Sequence, residues 1–316
     1  MTNLSQPSTA LTAVPGVALH DTPPPQVLKE VKITGMRWWR EVGWRHIGAA
    51  VAIAFAIFPI LYIVSAAFNP IGSVASTSVI PQRFSLANFE ELFTTPTIPF
   101  SRWFLNTLLV CTVVTFAQVF CSAMAAYSFS RFRFRGRRGG LLSLLLIQMF
   151  PQFLAAVAIY QMFTAVGEVL PALGLNTLPG YVLVLMGGAM GQVWLIKGFF
   201  DSIPRELDEA AIMDGASHVT VFFRIILPLV RPILAVTGLL AFVGVIGEFL
   251  LASIFLTSTS NKTVAVGLVG LLEGDRSGNL GVFAAGALLT AVPVVILFQY
   301  LQKYIVGGIT SGAVKG

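Results

Sequence analysis

The chain has 316 residues, of which 56% are hydrophobic and only 11% are charged. Soluble domains carry about 25% charged residues, so this composition excludes an ordinary water-soluble domain. The net charge of +6 could indicate nucleic acid in a soluble protein, but the basic residues lie between apolar runs, where they set membrane topology, and no nucleic-acid partner is expected.

Residues 1–36 are expected to form a disordered cytoplasmic tail ahead of a membrane domain over 37–316. The tail is rich in Pro, Thr and Ser, with three consecutive prolines at 23–25, and it lacks apolar periodicity. No apolar stretch follows the first methionine, so no cleavable signal peptide is expected.

Six apolar runs follow, at about 47–68, 103–129, 141–165, 178–200, 232–256 and 282–306. Each run exceeds the ~20 residues that a helix needs to cross a bilayer. Helices are predicted because lipid leaves no water for unpaired backbone groups, and barrel strands would need alternating polarity. The sequence therefore predicts an all-α membrane protein with six transmembrane helices.

The basic residues predict the orientation of these spans. With the N-terminus inside, 16 Lys and Arg fall on the inner side and 4 on the outer side. This asymmetry is typical of an even number of spans with both termini in the cytoplasm. Five arginines between positions 131 and 138 are interpreted mainly as a topology determinant, with contact to anionic lipid or to a partner protein as the alternatives.

The loop between the fourth and fifth runs, at about 201–231, has the pattern of a helical hairpin. Asp201 or Ser202 can cap a helix, and Pro204 suits its first turn. Acidic residues follow, where the helix dipole favours negative charge, and Gly215 is a natural stop. Ser217 can then cap a second helix that re-enters the membrane. A solvated linker between two spans is the alternative.

The spacing within this loop resembles the EAA signature of permease subunits of ABC importers. Glu209-Ala210-Ala211 is followed after three residues by Gly215, and Ile225 and Leu227-Pro228 complete the pattern. The resemblance implies that the loop is a coupling helix, which docks into a cleft of an ATP-binding subunit. The residues to which it assigns this role are Glu209, Ala210, Ala211, Asp214, Gly215, Ile225, Leu227 and Pro228.

The resemblance extends over about 45–316 and is closest to the second permease subunit of maltose importers and to related trehalose permeases. The Gly-rich tail at 307–316 is similar to the C-terminal end of that subunit, which inserts between the ATPase subunits. A flexible end is the alternative. The resemblance implies contact with the ATPase for Ser311, Gly312, Lys315 and Gly316.

The resemblance implies that the chain has an ABC type I importer permease fold. It also implies that the chain lies in a bacterial cytoplasmic membrane. The expected partners are a second permease subunit, two ATP-binding subunits and an extracytoplasmic sugar-binding protein, besides membrane lipid. ATP and Mg²⁺ would be used by the ATP-binding subunits, and no cofactor or metal is expected in this chain. The expected solute is maltose, maltodextrin or a related α-glucoside.

Polar residues within the runs are candidates for lining the pathway, because they are costly in lipid unless they face protein or water. The polar candidates are Gln148 and Glu248, and Pro151 and Tyr160 are further candidates because their run resembles that of the maltose permease subunit. Packing between helices is the alternative, weighed equally for Glu248. The sequence has no nucleophile–base arrangement and no phosphate-binding Gly-Lys-Ser/Thr motif, so a non-enzymatic subunit is expected. The remaining alternatives are a permease for another solute and an ion-driven secondary transporter.

Overall fold

The computed structural model describes residues 35–69, 84–274 and 276–313, and every regular element in these residues is a helix. The predicted all-α fold is confirmed. Nearly all of the predicted N-terminal tail, residues 1–34, lies outside the described residues. The chain divides into two units, Met1–Phe55 and Ala56–Gly316.

The first half of the chain is dominated by two long helices. We number the helices in chain order. They are α1 (Met36–Phe68), α2 (Ala87–Thr94), α3 (Phe100–Arg131), α4 (Arg137–Gln148) and α5 (Gln152–Val169).

The second half begins with a span in two parts, which a short 3-10 segment, Met186–Gly188, joins into one 24-residue helix. Its helices are α6 (Leu178–Leu185), α7 (Ala189–Asp201), α8 (Glu206–Met213), α9 (His218–Leu229), α10 (Arg231–Ile246), α11 (Leu250–Phe255), α12 (Val264–Gly274) and α13 (Arg276–Ala313).

All six predicted apolar runs lie on helices, but two of them are divided. Four helices of the described residues are long and apolar enough to cross a membrane, or five if the bent pair α9–α10 is one span. The third run is divided into α4 and α5 at Pro151, whose backbone is extended (φ −62°, ψ 120°) and which has no N–H to continue a helix. The fifth is divided into α10 and α11 around Glu248. The count of six spans stays a prediction.

Helix α3 lies at the centre of the second unit and contributes to three buried clusters. Near its beginning, Trp103 packs with α12 and α13, and in its middle Val114 packs with α6, α10 and α11. Near its end, Ala126 packs with α7, α8 and α9. This last cluster, which we call the loop-end core, positions the loop that the sequence analysis singled out.

Candidate functional site

The loop helix α8 begins without the predicted side-chain cap. Residue Arg205 occupies the N-cap position and makes no capping hydrogen bond. Asp201 instead accepts a hydrogen bond from Ser130, and the Ser202 hydroxyl donates to the carbonyl of Phe199. Pro204 precedes the helix. The predicted caps and the position of Pro204 were therefore wrong, because Asp201 is the last residue of α7 and bonds to α3, while Ser202 bonds to the end of α7.

The end of α8 is a Schellman motif, as the glycine suggested. Gly215 has φ +85°, the left-handed conformation that glycine adopts without a Cβ penalty. The N–H of Ala216 donates to the carbonyl of Ala211, and the N–H of Gly215 donates to that of Ile212, both at 2.9 Å. The predicted stop at Gly215 is confirmed.

The second helix of the loop, α9, begins where the sequence predicted. The Ser217 hydroxyl accepts a hydrogen bond from the N–H of Thr220 at 3.2 Å, which is an N-cap. The axes of α9 and α10 then differ by 78°, and Pro228 and Arg231 lie on either side of the bend. Leu227 and Ile225 are partly buried against the loop-end core.

Helix α8 has one buried and one exposed face. Ala211 is buried in the loop-end core with Val221 and Phe222 of α9. Glu209, Ala210, Asp214 and Gly215 are exposed, and so are the apolar side chains of Leu207, Ile212 and Met213. Ala211 was predicted to offer surface to a partner together with Ala210; it packs against its own chain instead, and so fixes the direction in which the exposed face points.

Polar contacts attach α8 to the end of α3. The Nε of Arg131 lies 2.8 Å from Oδ2 of Asp208, and the two form an ion pair whose side chains are only 7% and 12% exposed. The N–H on Nε is not aligned for a hydrogen bond. Arg131 also donates to the carbonyl of Ile203 at 3.1 Å, and Arg205 donates to the carbonyl of Ser130 at 3.0 Å. We call this group, Ser130, Arg131, Asp201, Arg205 and Asp208, the loop anchor.

The electrostatics of the loop anchor are unbalanced. Burial raises the pKa of Asp208 above its ordinary value, and the positive charges of Arg131 and Arg205 lower it only in part. Asp201 is held from two sides, since Ser130 donates to Oδ1 at 2.6 Å and the Lys197 Nζ lies 2.5 Å from Oδ2. The loop helix α8 is therefore fixed by the Asp208 carboxylate, whose charged form is stabilised mainly by Arg131.

The candidate pathway residues do not form one group in the structure. Glu248 lies between α10 and α11 and accepts hydrogen bonds from the hydroxyl of Tyr181 and from the N–H groups of Leu251 and Ala252. This geometry favours the packing alternative for Glu248. Gln148, Pro151 and Tyr160 are exposed on α4, at the break and on α5.

Of the candidate tail residues, Ser311 and Gly312 fall on the last turn of α13. Lys315 and Gly316 lie outside the described residues, so contact of the tail with an ATPase stays a prediction.

Comparison with known proteins decides what kind of membrane protein this is. Residues 118–310 match the family described as binding-protein-dependent transport system inner membrane component. The chain belongs to this family. The matched range includes the whole of α8 and α9, and the permease is a multi-pass membrane protein.

Curated relatives match most of the permease. The maltose/maltodextrin transport system permease protein MalG of Vibrio vulnificus is 39% identical over 282 residues, covering 86% of this chain and 95% of that protein. The galactooligosaccharides transport system permease protein GanQ of Bacillus subtilis is 38% identical over 262 residues, covering 82% and 90%. The predicted resemblance to permeases of maltose uptake is confirmed.

A solved structure shares the fold. A chain of a bacterial ABC transporter involved in the import of the acidic polysaccharide alginate superposes with a TM-score of 0.71, covering 86% of the permease and 99% of that chain. The sequence identity is 21%, so this likeness shows the fold of an ABC-importer permease and nothing about the solute.

Sequence reasoning missed the loop anchor of the permease. In the sequence, Arg131 is one of five arginines that indicate topology, and Asp208 is one of three acids in the first turn of α8. The two are 77 positions apart, and nothing local in the sequence pairs them. An arginine at the very end of a span and an acid on a surface helix are both common alone.

The glycine at the end of α8 provides a test of the local geometry of the permease. Gly215→Ala should lower the stability by about 1 kcal/mol, because a Cβ is strained at φ +85° while the space around it is open. Gly198→Ala is the matched control, since Gly198 lies inside α7, also with open space around it, and alanine there should stabilise by about 0.5–1 kcal/mol. Thermal unfolding in detergent should show a lower midpoint for Gly215→Ala and a higher one for Gly198→Ala. Equal shifts of the two midpoints would contradict the left-handed conformation of Gly215.

Proposed function

We propose that this chain is one of two permease subunits of an ATP-driven importer for maltose, maltodextrin or a related α-glucoside. The observation that carries the ATP-driven part of the proposal is the exposed face of α8, which is held against α3 by the loop anchor and by the loop-end core. A partner that pushes on this face moves a membrane-spanning helix with it, because the contact is short and buried.

The mechanism follows from this rigid link. One of two ATP-binding subunits would bind the exposed acids and apolar side chains of α8, and closure of the two subunits would displace α8 as a lever. Differential binding energy in the closed state would then shift the permease pair to the arrangement open on the other side. ATP and Mg²⁺ would act in the partner subunits, and this chain would contribute no catalytic group.

The orientation belongs to the same proposal. The ATP-binding subunits are cytoplasmic in this mechanism, which places α8, the arginine-rich loop after α3 and both termini in the cytoplasm. The 16 to 4 division of basic residues supports that orientation. A sugar-binding protein would dock on the opposite, extracytoplasmic side; the related alginate system has been crystallised with a periplasmic protein that holds an alginate pentasaccharide.

The solute is proposed from the relatives. Maltose and maltodextrin are named for several of them at 36–39% identity. GanQ, at 38% identity, is named for galactooligosaccharides, and this makes a galactose-containing oligosaccharide the second candidate. Purifying the tagged permease with its partners from native membranes, and measuring which oligosaccharide the co-purified binding protein holds, separates the two.

The docking face is tested by a charge placed at its most exposed apolar side chain. Met213 is 86% exposed, so Met213→Glu should leave the fold intact while weakening attachment of the ATP-binding subunits by about 30-fold, the effect of losing an interface hot spot of about 2 kcal/mol. The measurement is the amount of ATP-binding subunit that co-purifies with the tagged permease, together with ATP-driven uptake.

The matched control is Val169→Glu. Val169 is 80% exposed at the end of α5, remote from the loop in the chain, and its replacement should leave attachment unchanged. Normal attachment and uptake in the Met213 variant would rule out α8 as the docking helix. Uptake of sugar without any ATP-binding subunit would revive the ion-driven alternative.

A further inference from the structure

The loop that joins α3 to α4 borders a wide-open surface cavity, and most of the residues that line it are arginine and glycine. The cavity has a volume of about 550 Å³. Its lining residues are Arg133, Phe134, Arg135, Gly136, Arg137, Arg138 and Gly139. Four arginines within six positions carry like charges that repel each other unless an anion lies near them.

Of these four arginines, Arg137 interacts electrostatically with Asp201, and Arg133, Arg135 and Arg138 form no ion pair in the part of the chain that the structure describes. The ion pairs there involve Arg37, Arg131 and Lys197. The contrast with Arg131 is informative, because that residue, at the start of the same loop, is neutralised by Asp208. The side chains of Arg133, Arg135 and Arg138 therefore present unneutralised, fork-shaped donors of the kind that bind phosphate.

The backbone adds further donors at the same place. Helix α4 has 12 residues, and its N-cap, Gly136, is left-handed (φ +88°) with no side-chain cap and no acidic residue in the first turn. The first-turn N–H groups of Arg138 and Gly139 have no acceptor among the described residues. A helix N-terminus with free N–H groups and arginines around it is a phosphate-binding arrangement.

Apolar side chains continue from the cavity along the next turns of α4. Leu142 and Leu146 are 58% and 66% exposed, and Phe134 at the cavity is 46% exposed. The cavity follows the end of α3, a helix long and apolar enough to cross a membrane, so lipid headgroups are expected at its level. A free inorganic anion would leave the apolar surface uncovered, and an acidic protein surface would not cover leucines at this depth.

We propose that this cavity is a binding site for the headgroup phosphate of an anionic phospholipid such as phosphatidylglycerol, with the acyl chains along Leu142 and Leu146. The site is independent of the solute and of the docking role of α8. It would fix the start of α4 at the membrane surface, next to the anchored loop helix.

The test is a titration of the purified full-length permease in detergent with phosphatidylglycerol and with phosphatidylcholine of the same acyl chains, read by native mass spectrometry. Wild type should retain phosphatidylglycerol preferentially. Arg135→Gln/Arg138→Gln should weaken that retention by ~30-fold, from about five-fold for each arginine near a lipid headgroup. The charge-matched control, Arg40→Gln/Arg45→Gln, removes two exposed arginines from α1 and should change it by less than about two-fold.

A second variant separates loss of binding from loss of folding. Gly139 has open space around its Cβ position, and an acid in the first turn favours a helix N-terminus. Gly139→Asp should therefore keep or raise the thermal stability while its carboxylate occupies the anion position and abolishes retention of phosphatidylglycerol. Retention equal to wild type would overturn the proposal.

Three other results would also overturn it. If retention of phosphatidylglycerol fell equally in Arg135→Gln/Arg138→Gln and in Arg40→Gln/Arg45→Gln, the lipid would be held by nonspecific attraction only. Full displacement of phosphatidylglycerol by inorganic phosphate would mean a site for a free anion. Normal lipid retention with loss of co-purified ATP-binding subunit, in the Arg135/Arg138 variant, would mean that the patch binds protein.

Discussion

Arg131→Ala should destabilise the permease by about 3–5 kcal/mol, because it leaves the buried carboxylate of Asp208 without its partner. The pair is shielded from water, with side chains 7% and 12% exposed, so solvent cannot replace the arginine. The same change removes the hydrogen bond to the carbonyl of Ile203, just before α8. Thermal and denaturant unfolding of the full chain in detergent measure the loss, and coupled ATP hydrolysis in the assembled importer should fall with it.

Two variants control this prediction. Arg102→Ala, on the same helix, removes an exposed arginine that forms no ion pair among the described residues, and should change stability by less than about 0.5 kcal/mol. Arg131→Leu/Asp208→Leu removes both charges, and replacing a buried pair by apolar side chains is often neutral. If the double variant were no more stable than Arg131→Ala, the stranded carboxylate would not be the cause.

The pH dependence of the Arg131→Ala variant follows from the raised pKa of Asp208. An acid whose folded-state pKa is raised contributes stability that is present below its unfolded pKa and is lost as the pH rises through the folded pKa. Removing Arg131 deletes a positive charge that lowers this pKa, so the pKa should rise further. The destabilisation should therefore be larger at pH 8 than at pH 5, and adding Asp208→Asn should remove the difference. A destabilisation that grows toward acid pH would contradict this account.

The sequence predicted the features of the loop that are local. Gly215 and Ser217 act within one turn of their own positions, so their stop and cap roles follow from residue type alone. The caps assigned to Asp201 and Ser202 failed, because Asp201 is bound by Ser130, 71 positions away in the chain. Long-range pairing of this kind depends on which helices meet, and local patterns do not contain that information.

The difference between local patterns and long-range contacts also explains which features of the membrane spans could be predicted. Long apolar runs predict helices, because lipid leaves backbone groups no other partners. They do not predict where a run is divided, since a break is tolerated wherever other groups satisfy the freed N–H and C=O groups. Pro151 marks one break in the sequence itself. The break at Gly247–Phe249 is held by Tyr181, on another helix, and so it could not be located from the run alone.

Glu248→Ala should destabilise the permease by about 2–6 kcal/mol, at ~1–3 kcal/mol for each of two buried N–H groups left without an acceptor. The carboxylate accepts from the N–H of Leu251 at 2.7 Å and from that of Ala252 at 2.9 Å, at the start of α11. The Tyr181 hydroxyl, 2.5 Å from Oε2, would also lose its partner. Unfolding in detergent and the yield of assembled complex measure the effect.

Graded replacements distinguish this capping role from a role in the transport pathway. Glu248→Gln keeps one acceptor oxygen and should lose about half as much stability as Glu248→Ala, whereas Tyr181→Phe removes one donor and should cost about 1 kcal/mol. If Glu248 closes the broken span, uptake should fall across the three variants in proportion to their stability and assembly. Complete loss of uptake in a Glu248→Gln variant of normal stability would instead place the carboxylate in the pathway, because a cap needs only an acceptor and a pathway group needs its charge or proton.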